Sequence, residues 1–394
     1  MLDQRKVKDN STAAYIHIPF CEHICFYCDF NKVFLEGQPV DEYVDLLLRE
    51  MQLTMAQQKN EKIETIYVGG GTPTTLNEQQ LDRLLTGMKE ILPFQLGNEF
   101  TFEANPGDLS VEKLKVLHDH GVNRLSMGVQ SFNDDLLKKI GRIHRVSDVY
   151  QSIANARQVG FENISIDLIY RLPGQTEADF QDSLEKALAL DLPHYSTYSL
   201  ILENKTIFYN LMRQGKLPLP TEDAEANMYQ MAIDQMAAKG RKQYEISNYA
   251  LPGFESQHNL IYWKNEKYYG FGAGAHGYLE GHRYQNNGPI QHYLKPLREN
   301  KLPILRSQEL SLEEKVEEEL FLGLRKLQGV NIAHFFDKFQ QSIFSIYGEI
   351  INELVADGLV EVTEEWLRLT PRGKFLGNEV FQAFLLSDGD QKNK

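Results

Sequence analysis

Cysteine is scarce in this chain. Only three occur among 394 residues, and all three lie between positions 21 and 28. An odd number of thiols in so long a chain rules out a disulfide framework. Long apolar runs are missing too. No stretch of 18 apolar residues occurs, and residues 1–10 are polar and charged, without the apolar core of a secretion signal. The expected location is therefore the cytosol, where thiols stay reduced. Positive charge is also short. Lys and Arg number 41 against 55 Asp and Glu, a net charge of −14 with a pI near 5.3. That balance leaves no excess of cations for nucleic acid or for anionic membrane surfaces. Internal repeats are absent, and the one biased tract is the polar tail after Leu386.

What is present is concentrated. Cys21-Glu22-His23-Ile24-Cys25-Phe26-Tyr27-Cys28 holds every thiol of the chain. Two chemistries suit it. Three cysteines with His17 or His23 would complete a zinc site. Three thiolates alone would hold an iron–sulfur cluster and leave one iron without a protein ligand. The stretch by itself leaves both open.

The surrounding pattern is regular. Residues 13–18 read as a strand ended by Pro19, and the cysteines follow as a loop. Residues 41–58 carry apolar side chains at helical spacing: Tyr43, Val44, Leu47, Leu48 and Met51. Further strands are expected at 63–68, 99–103, 122–129, 163–167 and 194–202, with helices between them, among them 77–91 and 176–190. Strands alternating with helices imply a parallel sheet with right-handed crossovers. The expected fold is α/β, a partial (β/α)6 barrel like that of a TIM barrel but too short to close. In such folds reacting groups sit at the C-terminal ends of strands. The cysteine loop, Gly69-Gly70-Gly71, Glu103, Gln130 and Asp167 all fall there.

Helices are expected near 205–214 and 222–239, before a stretch dense in aromatics and glycine from Tyr244 to Tyr293. Helices at 311–328, 331–341 and 346–357, a hairpin over 359–369 and a last helix at 371–385 suggest a mostly helical, winged-helix-like module. Its carboxylates outnumber its cations, so it reads as a packing domain rather than a DNA reader. The organisation read is a tail at 1–12, a core at 13–240, a connecting region at 241–305, the C-terminal module at 306–387 and a tail at 388–394.

Gly69-Gly70-Gly71 lacks the Lys-Ser/Thr of a phosphate-binding loop. It suits either a tight strand-to-helix turn or a backbone that a ligand approaches closely. Cys-x3-Cys-x2-Cys followed by Gly-Gly-Gly-Thr-Pro-Thr resembles the radical S-adenosylmethionine (SAM) superfamily. Tyr15-Ile16-His17-Ile18-Pro19-Phe20-Cys21 and Gly128-Val129-Gln130-Ser131-Phe132 narrow the likeness to the branch of oxygen-independent coproporphyrinogen III oxidases. The resemblance implies a [4Fe–4S] cluster on Cys21, Cys25 and Cys28, with SAM on the fourth iron, cleaved by one electron to a 5′-deoxyadenosyl radical. It places Gly70, Gly71 and Thr72 at the methionine end of SAM and Arg142 on its carboxylate. Glu103, Gln130 and Asp167 would take other polar groups, and Tyr15 the cluster side. Read without it, Arg142 is a solvated cation, and Glu103 and Asp167 are helix caps.

Two groups share that branch. The oxidases carry a fourth cysteine two residues after the third, where this chain has Phe30, and a longer segment before the cluster, where it has 20 residues. The HemW-type haem chaperones carry Cys-Asp-Phe and a His-Asn-x-x-Tyr-Trp motif. The chain has Cys28-Asp29-Phe30 and His258-Asn259-Leu260-Ile261-Tyr262-Trp263. The resemblance ties this motif to haem. An imidazole ligates haem iron, and aromatics pack on the macrocycle. The plainer reading of His258 is a satisfied core histidine. Gly270-Phe271-Gly272-Ala273-Gly274-Ala275-His276-Gly277 mimics a dinucleotide fingerprint, but it reads as a structural turn without strand and helix around it.

The expectation is a haem chaperone with cluster, SAM and haem as cofactors, and coproporphyrinogen oxidase activity is not expected of it. Its implied partners are haem and a haem-accepting protein, with a membrane haem enzyme as one candidate, and a homodimer is left open. The alternative is a radical SAM enzyme acting on coproporphyrinogen III or another tetrapyrrole.

Overall fold

The computed structural model describes residues 12–58 and 62–385. Of the two expected tails, 1–11 and 388–394 lie outside the described residues, whereas Thr12 already belongs to the first strand.

Six strand–helix units build the core in the expected order. The strands are β1 (Thr12–Ile18), β2 (Thr65–Gly70), β3 (Phe100–Ala104), β4 (Arg124–Gln130), β5 (Asn163–Tyr170) and β6 (His194–Ser199). Each pairs in parallel with the next. Parallel strands are covered on both faces and so read as apolar runs. In β1, Ala13, Ala14, Ile16 and Ile18 are all wholly buried. The crossover helices are α1 (Val40–Met55), α2 (Glu78–Ile91), α3 (Val111–Asp119), α4 (Asp134–Lys139), α5 (Val146–Val159) and α6 (Glu177–Ala189). Asn77, Ser110 and Thr176 each accept a backbone N–H of the following first turn, which fixes where α2, α3 and α6 begin. Chain positions just before these caps are therefore held at the sheet's C-terminal rim.

The sheet is larger than six strands. It continues with β7 (Lys242–Gln243), β8 (Asn248–Ala250), β9 (Lys267–Phe271), β10 (His276–Leu279), β11 (His282–Asn286) and β12 (Ile304–Glu309). The spatial order is β12-β11-β10-β9-β1-β2-β3-β4-β5-β6-β8-β7. β9 lies parallel to β1 and so extends the barrel wall by a seventh parallel strand. β10 to β12 follow as an antiparallel meander. These strands are three to six residues long apart from the two-residue β7, and their aromatic and glycine content hides the two-residue alternation. The glycine-rich run therefore does have strands around it, β9 before and β10 after, with no helix following. A dinucleotide fingerprint needs that helix.

Glu50 of α1 fastens this extension to the barrel. Its carboxylate accepts from Gly272 N (2.8 Å), Asn286 Nδ2 (2.6 Å) and Tyr293 Oη (2.5 Å). A second core, with Leu320, Phe335, Tyr347, Ile351 and Leu367 at its centre, organises the C-terminal module. Its three-stranded sheet joins Val330–Asn331, Trp366–Leu369 and Val360–Val362. The single helix expected at 371–385 is broken at Leu376 into Pro371–Phe375 and Gly377–Ala383. Arg325 lies 4.7 Å from the Trp263 ring and 5.7 Å from that of Phe381, joining module to core. Among the described residues no helix is long and apolar enough to cross a membrane.

Candidate functional site

The cysteine loop leaves β1 at the rim. Phe20–Cys21 pairs with Val33–Phe34, so the loop between them returns on itself. Cys21 is buried, while Cys25 and Cys28 are half-buried. Burial pushes the Cys21 thiol up to about 11, opposed by a 3.6 Å contact with Thr72 Oγ1. Cys28 is also raised, first by burial. The Cys21 thiol is raised by both other thiols and the Cys28 thiol by Cys25, so the three share one neighbourhood. Among the described residues, no three His, Cys, Asp or Glu side chains are gathered tightly around one point as a single ion requires.

The glycine run is packed against this loop. A Cβ on Gly71 would stand 2.7 Å from the Phe20 carbonyl oxygen, and one on Gly70 2.6 Å from the His17 ring. Gly70 also has φ near +121°, a conformation that L side chains avoid. The three N–H groups are engaged: Gly70 donates to Glu103 Oε2 (3.0 Å), Gly71 to Ile18 O and Thr72 to Phe20 O (both 2.8 Å). Glu103 accepts from Tyr67 Oη as well, at 2.7 Å. Burial lifts its carboxyl to about 7 against those two bonds. Asp167 on β5 is raised too, through burial, with Ser196 as a hydrogen-bond partner that opposes the rise. Gln130 ends β4 in the left-handed region, φ 66°, which turns its side chain at the rim.

Arg142 completes this rim. Its Nη1 donates to Asn105 Oδ1 at 2.6 Å, and Asn105 Nδ2 donates to Thr72 Oγ1 at 3.0 Å. A relay Arg142–Asn105–Thr72–Cys21 thus runs from the guanidinium to a thiol. The Arg142 Nε is shut away from solvent with no partner. Arg142 is therefore not a solvated surface cation. A Cβ on Gly128 would stand 2.6 Å from Arg142 Nη2, so glycine in Gly-Val-Gln-Ser-Phe makes room for it.

Beside the rim opens a cavity of about 880 Å3. Tyr15, Gly70 and Glu103 line it, as do Phe30 and Lys32 of the cysteine loop and His276 and Arg283 of the later strands. The helix α7 (Gln257–Trp263), which carries the His-Asn-x-x-Tyr-Trp motif, is seated on Glu99. The Glu99 carboxylate accepts from Gln257 N (2.7 Å) and His258 N (3.0 Å). His258 is 1% exposed, with Nδ1 at 2.9 Å from Thr65 Oγ1 and Nε2 at 3.0 Å from Tyr262 Oη. Burial, then Arg124, lowers its imidazole to about 3. Both ring nitrogens are thus occupied by hydroxyls.

His258 also begins an aromatic column that sequence reasoning missed. Its ring lies 5.1 Å from Tyr67, which stacks at 6.2 Å on Tyr15, which lies 5.9 Å from His17. Tyr15 Oη meets His17 Nδ1 at 3.0 Å, and His17 Nε2 donates to Asn31 O at 2.7 Å. The column joins the motif helix to the loop just after the third cysteine. Alternate residues on one strand share a face, so Tyr15 with His17 was legible as a pair, but its neighbours were not.

The chain is similar to known proteins over most of its length. Residues 15–187 match the model of the radical SAM superfamily, and 310–376 match the HemN C-terminal domain. The heme chaperone HemW of Bacillus subtilis is 53% identical over 374 residues, covering 95% of this chain and 99% of that protein. The heme chaperone HemW of Lactococcus lactis is 52% identical, covering 97% and 98%. The solved coproporphyrinogen III oxidase HemN of Escherichia coli, described as a radical SAM enzyme, superposes with a TM-score of 0.83 at 24% identity. It covers 95% of this chain and 90% of that one. At that identity the likeness speaks for the fold alone.

Proposed function

The chain belongs to the HemW family within the radical SAM superfamily, and on that premise we propose that it binds haem in the cavity beside its cysteine loop and passes it to an acceptor protein. The observation that carries this reading is the cavity itself. At about 880 Å3 it lies toward the upper end of ligand sites, and it runs from the rim to an exposed aromatic, Phe30.

The superfamily implies a [4Fe–4S] cluster and SAM, and the rim residues fit both. We assign Cys21, Cys25 and Cys28 to the cluster, since they are the only thiols of the chain and lie together. Burial keeps Cys21 and Cys28 protonated, so ligation to iron would release protons there. Arg142, with a buried Nε lacking a partner, suits the SAM carboxylate as a planar donor. Gly70, Gly71 and Thr72, whose N–H groups are taken, would meet the ligand through acceptor atoms, which suits an ammonium. Glu103, Gln130 and Asp167 sit along the same rim as acceptors and donors for the remaining polar groups, and Tyr15 walls the cluster side. When bound, the reduced cluster supplies the electron that splits SAM.

The oxidase reading has no residue at position 30 that ligates a metal, because Phe30 stands there, 64% exposed. The test is to give anaerobically reconstituted protein SAM, a reductant and coproporphyrinogen III, and in parallel to titrate it with haem. A saturable Soret shift and no porphyrinogen consumption are expected. Robust conversion of the porphyrinogen without haem binding would reverse the proposal.

A further inference from the structure

The glycine-rich run 270–277 is left over once the rim and the motif helix are described. Its glycines are explained by packing. A Cβ on Gly270 would collide with the His276 carbonyl at 1.8 Å, and one on Gly277 with the Tyr284 ring at 2.2 Å. Gly272 (φ +100) and Gly274 (φ +76) turn the chain against His17 and Asn31. Packing does not explain His276. Its side chain is exposed, lines the cavity and has no hydrogen-bond partner among the described residues.

The strand register says what stands beside it. Residues directly opposed in an antiparallel pair share a face. His276 opposes Gln285, and Gln285 opposes Arg306, giving one row across β10, β11 and β12. Two residues along, Tyr278 opposes Arg283, and Arg283 opposes Gln308, a second row on the same face. His276, Arg283 and Gln285 all line the cavity. Arg283 is held by Glu318 at 2.7 Å, whereas Arg306 is exposed and has no ion pair among the described residues. The cavity wall thus carries the His276 imidazole and the Arg283 guanidinium paired with Glu318, with Arg306 at the outer end of the His276 row, beyond Gln285. The loop after the third cysteine lines the same cavity. Asn31 pins it by donating to Ala273 O (2.7 Å) and Gly288 O (3.1 Å), and Phe30 stands out from it.

We infer that His276 is the side chain that ligates haem iron, in a seat between the Phe30 loop and the β10–β12 face, with Arg306 and Arg283 directed at the propionate carboxylates. This rests on the haem-chaperone reading and deepens it. An iron ligand needs a free imidazole nitrogen. His258 has none to offer without breaking its bonds to Thr65 and Tyr262, and His276 has both. Burial and then the two arginines hold the His276 imidazole below its usual range, which keeps it neutral at pH 7. Carboxylates of a dianionic macrocycle meet guanidinium donors favourably, and Phe30 offers a flat apolar face. His258 then acts from within the aromatic column and positions the loop rather than touching iron.

The test uses the full-length reconstituted protein and ferric haem, read by Soret titration and by the electron paramagnetic resonance of the bound iron. Wild type should show histidine ligation. His276→Ala should lose that signature and bind at least about tenfold more weakly, roughly 1.4 kcal/mol. Added imidazole should restore its spectrum. His258→Ala should keep the histidine signature. Arg306→Glu should weaken haem but leave haem dimethyl ester, which lacks the carboxylates, unchanged. If His276→Ala keeps wild-type spectrum and affinity, the assignment is wrong while the chaperone reading stands. If wild type binds no haem, the chaperone reading itself fails.

Discussion

Replacing Arg142 by lysine separates its charge from its shape. In the structure the guanidinium donates through Nη1 to Asn105 (2.6 Å) and keeps a buried, unpartnered Nε. Lysine retains the positive charge but presents a point donor rather than a fork. A hydrogen bond to a charged group contributes about 1.5–3 kcal/mol, so the variant should bind SAM roughly 10- to 150-fold more weakly. The assay is equilibrium binding of SAM to the anaerobically reconstituted protein. 5′-Methylthioadenosine is the control, since it shares the nucleoside and lacks the amino-acid end. Its affinity should stay within about twofold by the same arithmetic. A parallel loss for both ligands would mean that Arg142 shapes the site generally, and no loss for either would remove it from the site.

Three other outcomes are expected. Reconstituted protein should carry about four irons and four sulfides per chain with absorption near 400 nm, and Cys21→Ala, Cys25→Ala or Cys28→Ala should each abolish that stoichiometry; one zinc per chain in place of iron would refute the cluster assignment. Phe30→Cys should leave the melting temperature nearly unchanged, because the ring is 64% exposed, and should not create coproporphyrinogen III conversion in an anaerobic turnover assay with SAM. Glu50, 2% exposed and lifted by burial to about 7, binds its proton more tightly folded than unfolded. Its contribution to stability is therefore full below about pH 4.5 and is lost as pH rises through 7, a change of about 3 kcal/mol. Denaturant titrations should show a fall over that window that is smaller by about this amount in Glu50→Gln; equal slopes in the two proteins would contradict the assignment.

Much of the fold was legible because parallel strands buried on both faces announce themselves as apolar runs. β1 to β6 follow from residue type, and helices near 77–91 and 176–190 from spacing, whereas the caps that fix their starts at Asn77 and Thr176 come from the structure. The strands β9 to β12 did not. Their residues include Gly270, Gly277 and exposed polar side chains, so no alternation betrays them, and their place is set by β9 pairing with β1, far away in sequence, and by each later strand pairing with the one before it. The rim residues were readable by motif and strand-end position. The occupied nitrogens of His258 were not, because Thr65 lies 193 residues away. His276 was hidden for a different reason. It sits inside a glycine run whose glycines have a packing explanation, and only the register of β10 with β11 and β12 aligns it with Gln285 and Arg306.

Delivery of haem to another protein can be followed directly. Haem-loaded protein should be mixed with a haem-depleted haem enzyme and the Soret band of the acceptor followed with its regained activity. Transfer should be faster than from an equal concentration of free haem, with the carrier left haem-free. Haem that stays on the carrier, or an acceptor that fills no faster than from free haem, would contradict the chaperone reading.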